Sequence, residues 1–209
     1  MIGPQSIGLA PGVDPDAAGQ DEQKYTTSNP VVRHLIGRLL ARVRAEIGPE
    51  PGRLADIGTG EGLALARVVP TGVTPIGIEY RAAKLALAAT AVPGLGASVG
   101  DIGALPFPDA SIDTVVCQEV LEHLPVVAPA VAELARITRG RCIVTVPHEP
   151  FFRGGNLARG KNVARWGNDV EHLQQLSPRR LRAAMEPHFE SVDVRRVTPW
   201  LLAVGRPGR

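Results

Sequence analysis

Apolar residues recur along this chain with two different periods, and the switch between them outlines the fold. Val32, Ile36, Leu39, Val43 and Ile47 are spaced as one face of a helix. Arg33, Arg38, Arg42 and Arg44 lie mostly off that stripe and read as a solvated face rather than a nucleic-acid contact. Asn29 can cap this helix, Pro30 suits its first turn, and Gly48-Pro49 stops it. Downstream, short apolar runs alternate with helical stretches. Strands are expected at about 53–57, 73–79, 96–99, 112–117 and 141–146. Helices are expected at about 61–69, through Lys84, Leu85 and Leu87, at 119–124 and at 129–138. Such alternation predicts an α/β fold, a parallel sheet with helices on both faces. The end of the chain breaks the rhythm. Ser177-Pro178 opens a helix over about 178–187, and two strands follow at about 189–196 and 199–205, a hairpin-like antiparallel edge.

Two stretches fall outside the pattern. Residues 1–24 are rich in Gly, Pro, Asp and Gln and are expected to form a flexible tail. Residues 25–209 then read as a single domain, which suits a chain of 209 residues. Residues 147–168 carry Gly154, Gly155, Gly160 and Gly167 and are too long for a mere connector. The wider segment 148–176 combines Phe151, Phe152 and Trp166 with Arg153, Arg159, Lys161 and Arg165. It reads as the substrate-facing region, able to receive an aromatic or acidic small molecule or a nucleic-acid end.

Composition narrows the class without choosing the chemistry. A hydrophobic share of 44% supplies one sizeable core, and a net charge of +2 excludes a polycation. Cys117 and Cys142 each sit in an apolar run, which reads as buried free thiols in a reducing cytoplasm rather than a disulfide or metal site. Met1 is not followed by a charged and then an apolar stretch, so no secretory signal is expected, and no apolar run reaches membrane-spanning length. The Ala/Gly/Arg/Pro bias suggests a bacterial, GC-rich genome. Nothing in the sequence points to a protein partner.

The chemistry lies at the strand ends, where open α/β sheets bind ligands. Asp56 ends the first strand and leads into Gly58-Thr59-Gly60-Glu61-Gly62, where glycines at alternate positions permit a tight turn against a ligand. Glu79 ends the second strand and can accept from two ribose hydroxyls. Asp101 follows the third strand and can accept from an adenine amino group, with Ile102 packing on the ring. Cys117-Gln118-Glu119 ends the fourth, where the reacting end of the ligand should lie. A dinucleotide site would carry G-x-G-x-x-G, whereas here Glu61 stands where a pyrophosphate would meet the helix start. These features favour an adenosine ligand without phosphates over a nicotinamide-dependent oxidoreductase.

Taken in order, Asp56–Gly62, Glu79, Gly100-Asp101-Ile102, Leu105-Pro106-Phe107 and Glu119-Val120-Leu121-Glu122-His123-Leu124 resemble the successive motifs of class I S-adenosylmethionine-dependent methyltransferases. The ubiquinone and menaquinone biosynthesis branch is the most similar. The resemblance covers residues 25–147 well and the remainder loosely. It implies a Rossmann-like, doubly wound, seven-stranded sheet, mostly parallel with an antiparallel last strand. It also implies that Gly58, Gly60 and Gln118 lie by the methionine part of the cofactor, Glu79 by the ribose, and Asp101 and Ile102 by the adenine. Tyr80 could cover the adenine, Thr59 stands where many relatives have cysteine, and Tyr25 resembles an N-terminal lid residue.

Methyl transfer is an in-line displacement in which the protein chiefly aligns the acceptor, and a base is needed only where the acceptor must lose a proton. Glu119, Glu122 and His123 fall at i, i+3 and i+4, hence on one helix face if that segment is helical. His148 and His172 complete the candidate bases; on the blander reading Glu122 is a surface residue and His123 merely finishes a helix. With His172, the three also resemble the Glu-x-x-Glu-His…His metal set of small-RNA 3′-terminal 2′-O-methyltransferases, which implies Mg²⁺, Mn²⁺ or zinc. Three functions follow: methyl transfer to a small molecule, metal-dependent methylation of an RNA end, or a non-catalytic S-adenosylmethionine-binding module.

Overall fold

The computed structural model describes residues 25–148 and 173–208. The expected tail at 1–24, most of the expected substrate-facing region and His172 lie outside them. Seven strands form one sheet in the order β3-β2-β1-β4-β5-β7-β6. They are β1 (Leu54–Ile57), β2 (Ile76–Glu79), β3 (Gly96–Val99), β4 (Ile112–Gln118), β5 (Thr138–Pro147), β6 (Ser191–Val197) and β7 (Trp200–Arg206). β1 to β5 pair in parallel, while β7 runs antiparallel to both β5 and β6. β7 therefore lies inside the sheet, between β5 and β6, and the β6–β7 hairpin makes the antiparallel edge expected from the sequence.

Among the described residues the helices are α1 (Pro30–Ile47), α2 (Leu65–Val68), α3 (Ala82–Ala91), α4 (Ala128–Ile137) and α5 (Pro178–Met185). The Asn29 side chain caps α1, accepting from the N–H groups of Val31 at 2.9 Å and Val32 at 3.2 Å. Ser177 caps α5 in the same way. The alternation of strand residues divides the core in two. Leu54 of β1 and Trp200, Leu202 and Val204 of β7 pack with Ile36, Leu39, Val43 and Ile47 of α1. Ala55 and Ile57 of β1 and Leu201 and Ala203 of β7 pack on the other face with Leu134 of α4 and Leu181 and Met185 of α5. Each fully buried Leu or Ile contributes about 1.5–3 kcal/mol, so these two slabs hold the sheet rigid between its helices.

Two expected helices change character. The run after the glycines is helical only at Leu65–Val68, because Gly62 N–H turns back to Thr59 O at 3.0 Å before the first α-helical bond forms. The 119–124 segment is only a 3₁₀ turn at Leu121–His123. β4 runs on to Gln118, and Glu119 takes a left-handed backbone conformation with φ of 56°. Leu124-Pro125 then leaves no room for a further turn. Cys117 and Cys142 are buried free thiols, and the burial raises both, Cys142 to about 12. Among the described residues, no helix is long and apolar enough to cross a membrane.

Candidate active site

The chain turns away from the centre of the sheet in opposite directions after β1 and β4, which lie side by side. At the C-terminal ends of those strands this leaves a cleft of about 210 Å³. Asp56, Gly58, Thr59, Gly60, Glu79, Tyr80, Asp101, Ile102, Gln118, Glu119 and His123 all line it, so eleven of the residues singled out from sequence converge on one place. Gly62, Glu122 and His148 do not line it. Tyr25, Glu61, Arg81 and Lys84 do.

The loop after β1 is held by backbone. Gly58 N–H and Thr59 N–H both donate to Ile78 O, at 2.7 and 3.1 Å. Thr59 Oγ1 donates back to Asp56 O at 2.9 Å, closing the turn. Glu79 Oε2 accepts from Gly60 N–H at 2.8 Å, and its Oε1 from Arg81 N–H at 2.9 Å. One carboxylate therefore ties the glycine loop to the start of α3 and retains further lone pairs toward the cleft. The sequence suggests glycines that make room for a ligand, whereas at two positions they make room for protein. A Cβ on Gly58 would lie 2.3 Å from Val120 Cγ2, and one on Gly62 would lie 2.9 Å from Ala88 Cα. Both also have positive φ, 79° and 76°.

Asp101 Oδ1 accepts from Gly103 N–H at 2.8 Å, holding the turn after β3 beside the buried Ile102. Tyr80 is 44% exposed at the cleft rim. The Arg67 guanidinium lies 5.2 Å from the centroid of the Tyr25 ring, which fixes the entry to α1 against the cleft. Asp56 is 3% exposed, and its Oδ1 has no hydrogen-bond partner among the described residues. The same holds for Gln118 Nε2 on β4. Burial first, and then the charge of Glu79, push the Asp56 carboxyl up to about 7, while the Thr59 hydroxyl acts the other way. The cleft thus offers a buried acceptor, a buried donor and a ring of carboxylates. That donor set suits a ligand with a cationic group, an amino-acid end and ribose hydroxyls, and it opposes phosphates.

The far wall is built differently. Glu119 cannot share a helix face with Glu122 and His123, because its backbone is left-handed rather than helical. Its Oε2 instead accepts from Trp200 Nε1–H at 2.8 Å, and its Oε1 lies 3.5 Å from Thr145 Oγ1. Sequence spacing contained no sign of the Trp200 contact, since the two residues come from β7 and the end of β4. Glu122 is 1% exposed, which corrects the surface reading, and His123 Nε2 lies 4.0 Å from its Oε1. Leu173 N–H and Gln174 N–H both donate to Glu122 O, at 2.8 and 3.0 Å, bringing the chain back to this turn. His148 follows β5, buried, with its backbone N–H donating to Pro199 O at 2.9 Å. Burial, and then the Arg196 charge, hold its imidazole below the usual histidine range. Among the described residues no three His, Cys, Asp or Glu side chains are grouped as a metal site. The fourth member of the expected metal set, His172, lies outside them.

On this topology, with its carboxylate-ringed cleft, residues 55–145 match a family model described as a methyltransferase domain. The chain is a class I S-adenosylmethionine-dependent methyltransferase. It is 29% identical over 165 residues to a phosphatidylethanolamine N-methyltransferase of Cereibacter sphaeroides, covering 76% of this chain and 80% of that one. It is 31% identical over 144 residues to a demethylmenaquinone methyltransferase of Roseiflexus castenholzii, covering 63% of this chain but only 60% of the relative. The fold is shared with magnesium protoporphyrin IX methyltransferase from Synechocystis PCC 6803 with bound SAH, at a TM-score of 0.66 and 15% identity over 90% of this chain and 98% of that one.

Proposed function

We propose that this protein methylates a small-molecule acceptor, with the donor held by the β1–β3 side of the cleft and the acceptor against the tips of β4, β5 and β7. The observation that carries this reading is the cleft at the β1/β4 divergence, floored by the buried carboxylates of Asp56 and Glu79. The relatives support the acceptor class: the curated ones named above carry names that specify a phospholipid amine and a quinone precursor, and the solved one a porphyrin. None of these three names specifies an RNA end, and all three are enzymes, so neither the metal-dependent RNA reading nor the non-catalytic module is favoured.

When bound, S-adenosylmethionine supplies a methyl group on a sulfonium that already leaves well. The roles then divide by position. Glu79 would receive the ribose hydroxyls, and Asp101 and Ile102 the adenine, with Tyr80 over it. Gly58, Thr59, Gly60, Asp56 and Gln118 would hold the amino-acid end, and Gly62 keeps α3 close behind the loop. The protein's catalytic contribution is chiefly alignment and exclusion of water. Glu119 and His123 line the cleft where an acceptor's proton would leave, with His148 and His172 as further candidates. We treat residues 25–209 as one catalytic unit and place it in a bacterial cytoplasm. The buried free thiols and the bacterial relatives support that placement.

Calorimetry with S-adenosylmethionine and NAD tests the donor assignment: the first should bind and the second should not. Turnover of amine, phenol and quinol-type acceptors, in the presence and absence of EDTA, tests the acceptor class. Turnover confined to an RNA 3′ end and abolished by EDTA would replace this reading with the metal-dependent one.

A further inference from the structure

Two buried carboxylates share the floor of the cleft, and only one has its charge met. Glu79 is held by two backbone N–H donors. Asp56, two residues before the glycine loop, has an oxygen with no partner among the described residues and is less exposed still. An unpartnered anion in such a place is costly, whereas a neutral acid costs far less. The groups that face Asp56 reinforce this from each side. From β2 comes the Glu79 carboxylate, and from β4 the Cys117 thiol, itself held protonated chiefly by burial. From the loop comes the Thr59 hydroxyl, which favours the ionised form. Arg81, Lys84 and His123 line the same cleft without reversing the balance.

We propose that Asp56 is the charge-selecting residue of the cleft, a neutral acid in the free protein that ionises when a cationic donor binds, so that binding expels one proton to solvent. The inference rests on the donor assignment above and adds a mechanism of discrimination. A cation in the cleft supplies the countercharge that the protein withholds, whereas a neutral nucleoside does not. The proton balance is simple: the Asp56 carboxylic acid becomes a carboxylate paired with the ligand's positive charge, and no other bond forms or breaks.

Titration calorimetry of the full chain with S-adenosylmethionine at pH 7, in buffers of different ionisation enthalpy, counts the proton directly. A net release of about half a proton is expected at a pH near the carboxyl's own value. Affinity should tighten about fivefold between pH 6 and pH 7, and Asp56→Asn should be flat over that range. The infrared difference spectrum on binding should lose a protonated-carboxyl band that the variant lacks. A count of zero in the wild-type protein from pH 6 to pH 8 overturns the proposal. So does an undiminished release in Asp56→Asn, which would assign the proton to His123 or to the ligand's own amine. The wild-type count and infrared band stand without the variant if it does not fold. Absence of any binding heat at every pH would instead overturn the donor assignment, and this inference with it.

Discussion

The two walls of the cleft are built by opposite strategies. The donor wall is mostly backbone: Gly58, Thr59 and Gly60 N–H groups are pinned to Ile78 O and Glu79, so the hydrogen bonds that hold the glycine loop come from β2 and its end. The far wall is side chain on side chain. Glu119 sits in a strained backbone conformation at the tip of β4 and is held by the indole of Trp200, 81 residues away in sequence. A wall made of backbone needs only a short motif and a sheet to mount it on. A wall made of paired side chains needs β7 to enter the sheet next to β5 before it exists. The donor wall is therefore the part that relatives can share, and the far wall is where acceptor choice can vary without disturbing donor binding.

Three substitutions can break or sharpen this contrast. The largest effect is expected from Gly58→Ala on the donor wall. Its φ of 79° and the 2.3 Å approach of Val120 leave the new methyl no space. Left-handed strain of about 1–2 kcal/mol and overpacking of about 1–3 kcal/mol act together. Urea denaturation should show a loss of that size, with donor affinity reduced by more than tenfold in calorimetry. An unchanged affinity would mean that the backbone of the loop is not what holds the donor.

The next effect has the opposite sign. Burial raises the Asp56 carboxyl from the ordinary value of 3.8 to about 7, so between those values the folded protein binds a proton that the unfolded chain has released. Wild-type stability must therefore fall as pH rises from about 4 to about 7 and level off above. Asp56→Asn removes that slope. It should match wild type near pH 4 and exceed it at pH 8 by up to about 4 kcal/mol, the upper bound set by the shift. Thermal or urea melts at pH 5 and pH 8 read this directly, and a variant less stable than wild type at pH 8 would contradict it. A functional site that destabilises its own fold in this way is expected where a ligand later supplies the missing charge.

The smallest of the three is Trp200→Phe on the far wall. It keeps the ring packed beneath the sheet but deletes the donor to Glu119, and a hydrogen bond to a charged group is worth about 1.5–3 kcal/mol. kcat should drop about tenfold or more, while donor affinity stays within about twofold, since no donor-wall contact passes through β7. Equal losses in both would show that the walls are mechanically one.

The donor wall was legible in the sequence because it is local. Glycines at alternate positions after an apolar strand, then acids at the ends of the next two strands, announce both the turn and the ligand chemistry over some forty-five residues. What spacing could not show was that Gly58 and Gly62 accommodate Val120 and Ala88 rather than the ligand. On the far wall, helical periodicity misled. Glu119, Glu122 and His123 have the spacing of one helix face, but the strand persists through Gln118 and turns left-handed at Glu119, so Glu119 is not on the turn that carries Glu122 and His123. Periodicity reports only what a segment would do alone, and here pairing of Gln118 with Thr145 on β5 outweighed it.

By itself, the sequence determined the alternating architecture, the cap and stop of α1, and the acidic strand ends that select a phosphate-free adenosine donor. Each of these depends on residues close together in the chain, whose conformational preferences and charges act before any tertiary contact forms. Only the tertiary structure decided that β7 lies between β5 and β6, that Trp200 holds Glu119, and that Asp56 is left beside Glu79 with an unmet oxygen. Those outcomes depend on distance in space and on exclusion of water, and both arise only when the sheet closes over its two cores.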